Sequence, residues 1–134
     1  MKRPPPSKGM RHVALFVRDF NACEKFYVDL LGMKVEWRPD PNNVYLSGGC
    51  DNLALHRAVD GVKLESAYQR LDHIGFILEK PEDVDEWFAY FLENQVSIRN
   101  KPKTHRDGAR SFYCFDPDGV VVQMIFHPPI SSMI

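Results

Sequence analysis

The 134-residue sequence lacks several features that would point to common classes of protein. It has no apolar run long enough to cross a bilayer, and no apolar segment follows its basic, proline-rich start. We therefore expect neither a membrane span nor a secretory signal. Its 17 basic and 18 acidic residues give a net charge of −1, which leaves no basic excess to neutralise phosphates. A nucleic-acid-binding role is not expected either.

Cysteine is scarce as well, with Cys23, Cys50 and Cys114 far apart in the chain. An odd number at wide spacing fits neither a disulfide framework nor a zinc cluster, so we expect reduced thiols in a cytoplasmic protein. The remaining composition is that of a globular protein, with 44% hydrophobic and 26% charged residues. The length is enough for one compact domain.

The most informative feature is an internal repeat at an offset of 61 residues. At this offset the segment 11–17 falls on 72–78, so that His12 meets His73 and one apolar run meets another. The register holds without a gap as far as residue 37, through two changes of hydrophobic period. Such a match indicates a duplicated supersecondary unit.

Both copies follow the same order of predicted elements. A first strand, at 12–17 or 73–78, leads into an amphipathic helix and then into three short segments with the alternating period of strands. The second copy is longer by about eight residues, inserted within 99–110. We therefore predict an α+β protein of two β-α-β-β-β modules. The predicted bounds are about 9–59 and 70–128, with a polar linker at 60–70 and a flexible tail at 1–8.

This pattern resembles the vicinal oxygen chelate superfamily, which includes glyoxalase I, methylmalonyl-CoA epimerase, extradiol dioxygenases and the fosfomycin and bleomycin resistance proteins. The residues that carry the resemblance lie in 11–17, 26–33, 71–76 and 112–123, the last with an Asp-Pro-Asp-Gly turn. The resemblance covers 9–128 as a single domain. It implies that the two modules pair into a cup-shaped curved sheet and that the protein is a homodimer.

The resemblance also implies a divalent metal ion, held by the first and last strands of each module. His12 and His73 match the two first-strand positions, and Gln123 matches a last-strand position where the family usually has Glu. In the first module that position is Ala54, which cannot bind a metal. His56 lies two residues later on the same face of the strand, so it is a candidate fourth ligand. Two imidazoles with oxygen donors suit Fe, Mn, Co, Ni or Zn ions.

The function that the resemblance implies is that of a glyoxalase-I-like lyase or isomerase. Its metal ion would bind two oxygens of a small substrate and stabilise an anion. Because Gln123 cannot act as a base, the proton carrier would be metal-bound hydroxide, Tyr113 or His56. Arg106 and Arg110, in the inserted segment, are candidates for binding an anionic substrate.

Other interpretations of these residues stay open. The two repeated histidines also fit buried, hydrogen-bonded positions, and the two arginines also fit a solvated loop. The same cup without catalysis would sequester a small molecule such as an antibiotic, which the absence of carboxylates at 54 and 123 favours. An extradiol-type dioxygenase is a further alternative, since the spacing of Tyr113 and Gln123 resembles that family. Thiol transfer to an epoxide antibiotic would need a basic cluster for a phosphonate, and the sequence has no clear one.

Overall fold

A computed structural model describes residues 1–63 and 70–133 of the chain. They belong to two compact units, Met1–Val62 (unit 1) and Lys63–Ile134 (unit 2). The predicted linker at 60–70 lies partly outside the described residues. None of the helices in 1–63 and 70–133 combines the length with the apolar character that crossing a bilayer requires.

Unit 1 contains one helical region and four strands in its described part. The elements are β1 (His12–Val17), α1 (Phe20–Lys25), a π-helical segment (Phe26–Leu30), β2 (Lys34–Asp40), β3 (Asn43–Ser47) and β4 (Asn52–Arg57). The sheet order is β1-β4-β3-β2, with β1 parallel to β4. Asp19 caps the helix by accepting a hydrogen bond from the backbone N–H of Ala22 at 3.2 Å. Gly32, at φ 83°, takes the left-handed conformation that ends the helical region.

Unit 2 repeats this arrangement. Its elements are β5 (Ile74–Ile77), α2 (Pro81–Glu93), β6 (Ile98–Thr104), β7 (Arg110–Phe115), β8 (Val121–Phe126) and α3 (Pro128–Ser131). The sheet order is β5-β8-β7-β6, with β5 parallel to β8. At the start of α2, Pro81 occupies the first turn and the Asp83 carboxylate accepts from the backbone N–H of Lys80 at 3.0 Å. The predicted α+β fold of two β-α-β-β-β modules is confirmed.

Each sheet has one face that packs against its helix and one that does not. In unit 2, the ring of Phe112 on β7 contacts Phe88 and Phe91 of α2 at centroid distances of 5.4 and 6.0 Å. Alternate residues of a strand point to opposite faces, so Tyr113 lies on the other face, which we call the site face. The site face of unit 1 carries His12, Ala14, Phe16, Asn43, Tyr45, Asn52, Ala54 and His56; that of unit 2 carries His73, Gly75, Ser111, Tyr113 and Gln123.

The predicted insertion at 99–110 is mostly strand. Residues Ile98–Thr104 form β6, which pairs with β7 through two register shifts, and only the turn at 105–109 is irregular. The segment looked like a loop because it is rich in lysine, arginine and asparagine. Such polar composition is normal for an edge strand, which is exposed along its length.

All three cysteines lie in described residues and are free thiols. Cys23 and Cys114 are buried, and burial raises the pKa of the Cys114 thiol to about 12.

Candidate functional site

Three predicted site residues of unit 2 lie together on its site face. The rings of His73 and Tyr113 meet edge to face, with centroids 5.3 Å apart. Tyr113 is directly opposite Gln123 in the β7–β8 pairing, and the Gln123 amide nitrogen donates to the Tyr113 hydroxyl at 3.0 Å. Tyr113 is thus a common neighbour of the imidazole and the amide.

The amide of Gln123 has a fixed orientation. Its Nε2 donates to Ser111 Oγ at 3.1 Å as well as to Tyr113, which uses both of its N–H groups. Its Oε1 accepts no hydrogen bond from the described part of the chain. Gly75 faces Gln123 across β5 and β8, and a Cβ at Gly75 would lie 3.6 Å from Oε1. The oxygen is therefore the atom of Gln123 that is available to a ligand or an ion.

Within residues 1–63 and 70–133, His73 is held through one ring nitrogen. Its Nδ1 lies 2.6 Å from Oδ2 of Asp72, and this hydrogen bond lowers the pKa of Asp72. Since an ionised carboxylate can only accept, Nδ1 carries the proton of this bond. The lone pair of the neutral ring is then on Nε2, which is the arrangement found in carboxylate-backed metal-binding histidines.

His12 in unit 1 is also hydrogen-bonded through Nδ1, but an asparagine lies between its ring and the carboxylate. Its Nδ1 lies 2.7 Å from Oδ1 of Asn52, the residue directly opposite it in the β1–β4 pairing. The Asn52 amide nitrogen donates to Oε2 of Glu36 at 3.1 Å. Nε2 of His12 is left without a partner among the described residues.

His56 is not brought to His12. It lies opposite Phe16, four residues further along β4 than Asn52, which corresponds to about 13 Å along the strand. Its Nδ1 is held by Asn43 Oδ1 at 2.6 Å, and its ring contacts Phe16 and Tyr45. These contacts oppose the movement of the His56 side chain that would be needed for it to act as the fourth ligand in place of Ala54.

Of the two predicted anion-binding arginines, Arg110 does not lie on the site face. Arg110 shares the helix face with Phe112, two residues along β7, and its guanidinium donates to both carboxylate oxygens of Asp85 on α2, at 2.7 and 3.0 Å. Strand alternation places it opposite to Tyr113, which the prediction of a loop at 99–110 concealed. Arg106 is exposed in the turn between β6 and β7.

This placement of Arg110 predicts a structural role. Arg110→Gln should lower the free energy of unfolding at pH 7 by about 0.5–1 kcal/mol, as expected for a partly exposed ion pair. Because Arg110 lowers the pKa of Asp85, this stability is present above the ordinary carboxyl range and is lost on acidification. Urea unfolding should therefore show a difference from the wild type that shrinks below about pH 4. Weaker metal binding by this variant would contradict the placement.

A cavity of about 750 Å³ opens beside the anchor of His12. Its wall includes Asn52 and Glu36, together with Arg11, Lys34 and the turn at 47–51. The volume is within the range of small-molecule sites. Arg11 is positioned by donating to the backbone carbonyls of Lys8 and Cys50 at 3.0 and 3.2 Å.

Sequence reasoning missed the residues that hold these side chains. The missed residues are Glu36, Asp40, Asn43, Asn52, Asp72 and Ser111. Asp72, adjacent to a candidate ligand, was the only one with a local signal. Asn52 is 40 residues from His12, and its role depends on the parallel register of β1 and β4.

The donors fit a metal ion, though not as a complete cage. In residues 1–63 and 70–133, no three His, Cys, Asp or Glu side chains form a group that would hold a metal. His73 Nε2 and Gln123 Oε1 in unit 2, and His12 Nε2 in unit 1, are nevertheless donor atoms of the kind that suits a divalent first-row ion.

Comparison with known proteins agrees with this fold. The family model for the Glyoxalase/Bleomycin resistance protein/Dioxygenase superfamily matches residues 9–124. The chain belongs to this superfamily. The expectation drawn from the sequence motifs is thereby confirmed.

Curated relatives of this superfamily member include metallothiol transferase FosB from Staphylococcus epidermidis and Staphylococcus haemolyticus. Each is 28% identical over 113 residues, which is 84% of this chain and 78% of the relative. Among solved structures, a lactoylglutathione lyase from Agrobacterium tumefaciens has a TM-score of 0.74 at 23% identity, covering 91% of this chain and 96% of its own. A glyoxalase/dioxygenase from Nostoc punctiforme has a TM-score of 0.78 at 22% identity, covering 96% and 97%. At these identities the structures establish the fold alone.

Proposed function

We propose that the protein is a divalent-metal-dependent lyase or isomerase that acts on a small oxygen-chelating substrate. His12, His73 and Gln123 would bind the ion. The observation that supports the proposal is that each of these side chains is hydrogen-bonded through one polar atom, which leaves its other polar atom for the ion. The hydrogen-bonded atoms are Nδ1 of His12, Nδ1 of His73 and Nε2 of Gln123. A metal-binding histidine normally has such a partner on its other ring nitrogen.

When bound, the ion would supply Lewis-acid chemistry, polarising the substrate oxygens that it binds. The two histidines and the amide are neutral, so they leave its dipositive charge undiminished. Zinc, nickel, cobalt, manganese and iron are all compatible with this donor set. The cavity lined by Asn52 and Glu36 would give a small substrate room beside the residues that anchor His12.

Proton transfer would be left to residues other than Gln123, because an amide is not a base. Tyr113 accepts its hydrogen bond from Gln123, so its own O–H is free to donate to a substrate oxygen. His56, the other candidate from the sequence, has Nε2 available because Asn43 holds its Nδ1, but it lies about 13 Å along β4 from the His12 anchor, so Tyr113 is the favoured carrier.

Thiol transfer is a second candidate function. The names of the curated relatives describe metallothiol transferases, and those proteins match 84% of this chain. In such a reaction the same donors would bind the ion, and a thiol would add to a small electrophile. Assays of the metal-loaded protein with glutathione-derived hemithioacetals, and with epoxides plus a thiol, separate the two candidates.

The proposal is tested by metal content. The wild type, freed of metal and reloaded with Co²⁺ or Zn²⁺, should bind one ion per chain. His12→Ala and His73→Ala should each lose the site, and His127→Ala, which removes an imidazole at the end of β8, should keep it. Retention of wild-type affinity by both His12→Ala and His73→Ala would overturn the proposal. Metal binding without turnover in either assay would favour the sequestering alternative.

Mixing the variants tests whether the site is completed within one chain or across the expected homodimer. If His12 of one copy and His73 of another share an ion, a mixed dimer of His12→Ala and His73→Ala subunits contains one intact site. Each mixed dimer should then have half of the wild-type sites, so random exchange of equal amounts should return about a quarter of the wild-type metal binding. If the two residues of one chain share the ion, mixing should restore nothing.

A further inference from the structure

The hydrogen bonds around His12 determine where its ring proton lies. Asn52 offers the ring either its amide oxygen or its amide nitrogen, and these are distinguished by their other partners. Its Nδ2 is 3.1 Å from Glu36 Oε2, an acceptor, so the amide oxygen must face the ring. Asn52 Oδ1 can only accept, and Nδ1 of His12, at 2.7 Å, must therefore be the donor.

The same construction occurs a second time in unit 1. Asn43 directs its Nδ2 to both carboxylate oxygens of Asp40, each at 2.9 Å, and its Oδ1 to Nδ1 of His56 at 2.6 Å. Both histidines on this site face thus have a carboxylate–asparagine pair behind them. The Asp40–Asn43 pair behind His56 lies about 13 Å along the strand from the Glu36–Asn52 pair behind His12, so each pair can be altered separately.

We propose that Asn52 and Glu36 are positioning residues that hold His12 with its proton on Nδ1 and present Nε2 to the metal ion. The inference rests on the proposed function, because it takes His12 as a ligand. Without the anchor, the neutral ring would exchange between its two tautomers and rotate about its side-chain bonds. Only one tautomer in one orientation would then be competent to bind.

The first readout is spectroscopic and needs no metal. Long-range ¹H–¹⁵N correlation spectra of the metal-free protein, at a pH where the rings are neutral, report which nitrogen carries the proton. We expect His12 and His56 to have Nδ1 protonated in the wild type. Asn52→Leu should convert only His12 to a tautomer mixture, and Asn43→Leu should do so only for His56.

The second readout is metal affinity, measured by competition with a chelator of known affinity for Zn²⁺. Loss of an outer partner of a ligating histidine typically costs about 10–100-fold in affinity, and we expect this for Asn52→Leu. Asn43→Leu is the matched control, since it removes the same type of anchor from a histidine that is not a ligand. The Zn²⁺ affinity of Asn43→Leu should stay within about twofold of the wild-type affinity, well below the loss expected for Asn52→Leu.

Exchanging the carboxylate and the amide between positions 36 and 52 provides a second test that does not depend on the folding of Asn52→Leu. Asn52→Asp alone places two carboxylates at 3.1 Å, the distance that now separates Asn52 Nδ2 from Glu36, and should disturb the anchor. Combining Asn52→Asp with Glu36→Gln restores a donor facing an acceptor, and it should return the His12 tautomer and the Zn²⁺ affinity toward wild-type values.

The outcomes separate the two proposals. If His12→Ala loses the metal but Asn52→Leu leaves the tautomer or the affinity unchanged, or if the Asn52→Asp and Glu36→Gln double variant does not restore them, the positioning inference is overturned and the proposed function stands. If His12→Ala itself keeps the metal, the positioning inference fails because His12 is not a ligand, and if His73→Ala keeps it as well, the proposed function also fails. A wild-type His12 with Nε2 protonated would also overturn the inference.

Discussion

Replacing Gln123 by glutamate should tighten Zn²⁺ binding at least about tenfold, or about 1.4 kcal/mol, and place a carboxylate base where the wild type has an amide. The substitution preserves length and shape, and it exchanges a neutral oxygen donor for a charged one. The surroundings can accommodate it. Ser111 and Tyr113, which now accept from the Gln123 amide, are hydroxyls and can turn to donate to a carboxylate.

The matched control is Gln123→Leu, which removes the donor at similar volume and should weaken Zn²⁺ binding below that of the wild type. Affinities of the three proteins should therefore follow the order glutamate, glutamine, leucine. The rate of proton abstraction from a substrate carbon, measured as deuterium exchange with the solvent, should increase only in the glutamate variant. An unchanged affinity in both variants would remove Gln123 from the set of ligands.

The fold could be predicted from the sequence because it is encoded in local periods that occur twice. The first strand was placed at its observed bounds, 12–17, from one apolar run, and the helices followed from their capping residues and amphipathic stripes. The strand at 98–104 could not be recognised in this way. An exposed edge strand has no buried face, so it lacks the alternation on which the prediction depends.

Of the site, the repeat predicted only the residues that occur at equivalent positions in both modules. The offset identified His12 and His73 as a pair, but it carried no information on their partners. Asn52 is placed beside His12 by the register of two parallel strands, which no local signal determines. Arg110 illustrates the opposite case. Three residues before Tyr113 on the same strand, it must lie on the other face, and the alternation would have shown this had position 110 been assigned to a strand.

Phe112→Ala should destabilise the protein by about 3–5 kcal/mol, as is typical when a large, fully buried aromatic side chain is removed. Phe112 is 0% exposed and contacts two rings of α2, and its removal leaves a cavity between β7 and the helix. Leu92→Ala is the control, since Leu92 is on the same helix but is 52% exposed and should cost less than about 1 kcal/mol. Urea unfolding of the three proteins measures the difference.

This comparison also tests the orientation of the site, because side chains alternate along β7. If Phe112 faces the helix, then Ser111 and Tyr113 must face away from it, toward Gln123. A one-residue slip would exchange the two faces and make Phe112 the exposed residue. Phe112→Ala would then cost no more than Leu92→Ala. In that event the hydrogen bonds that orient the Gln123 amide could not form, and Gln123 would have no fixed oxygen to offer a metal ion.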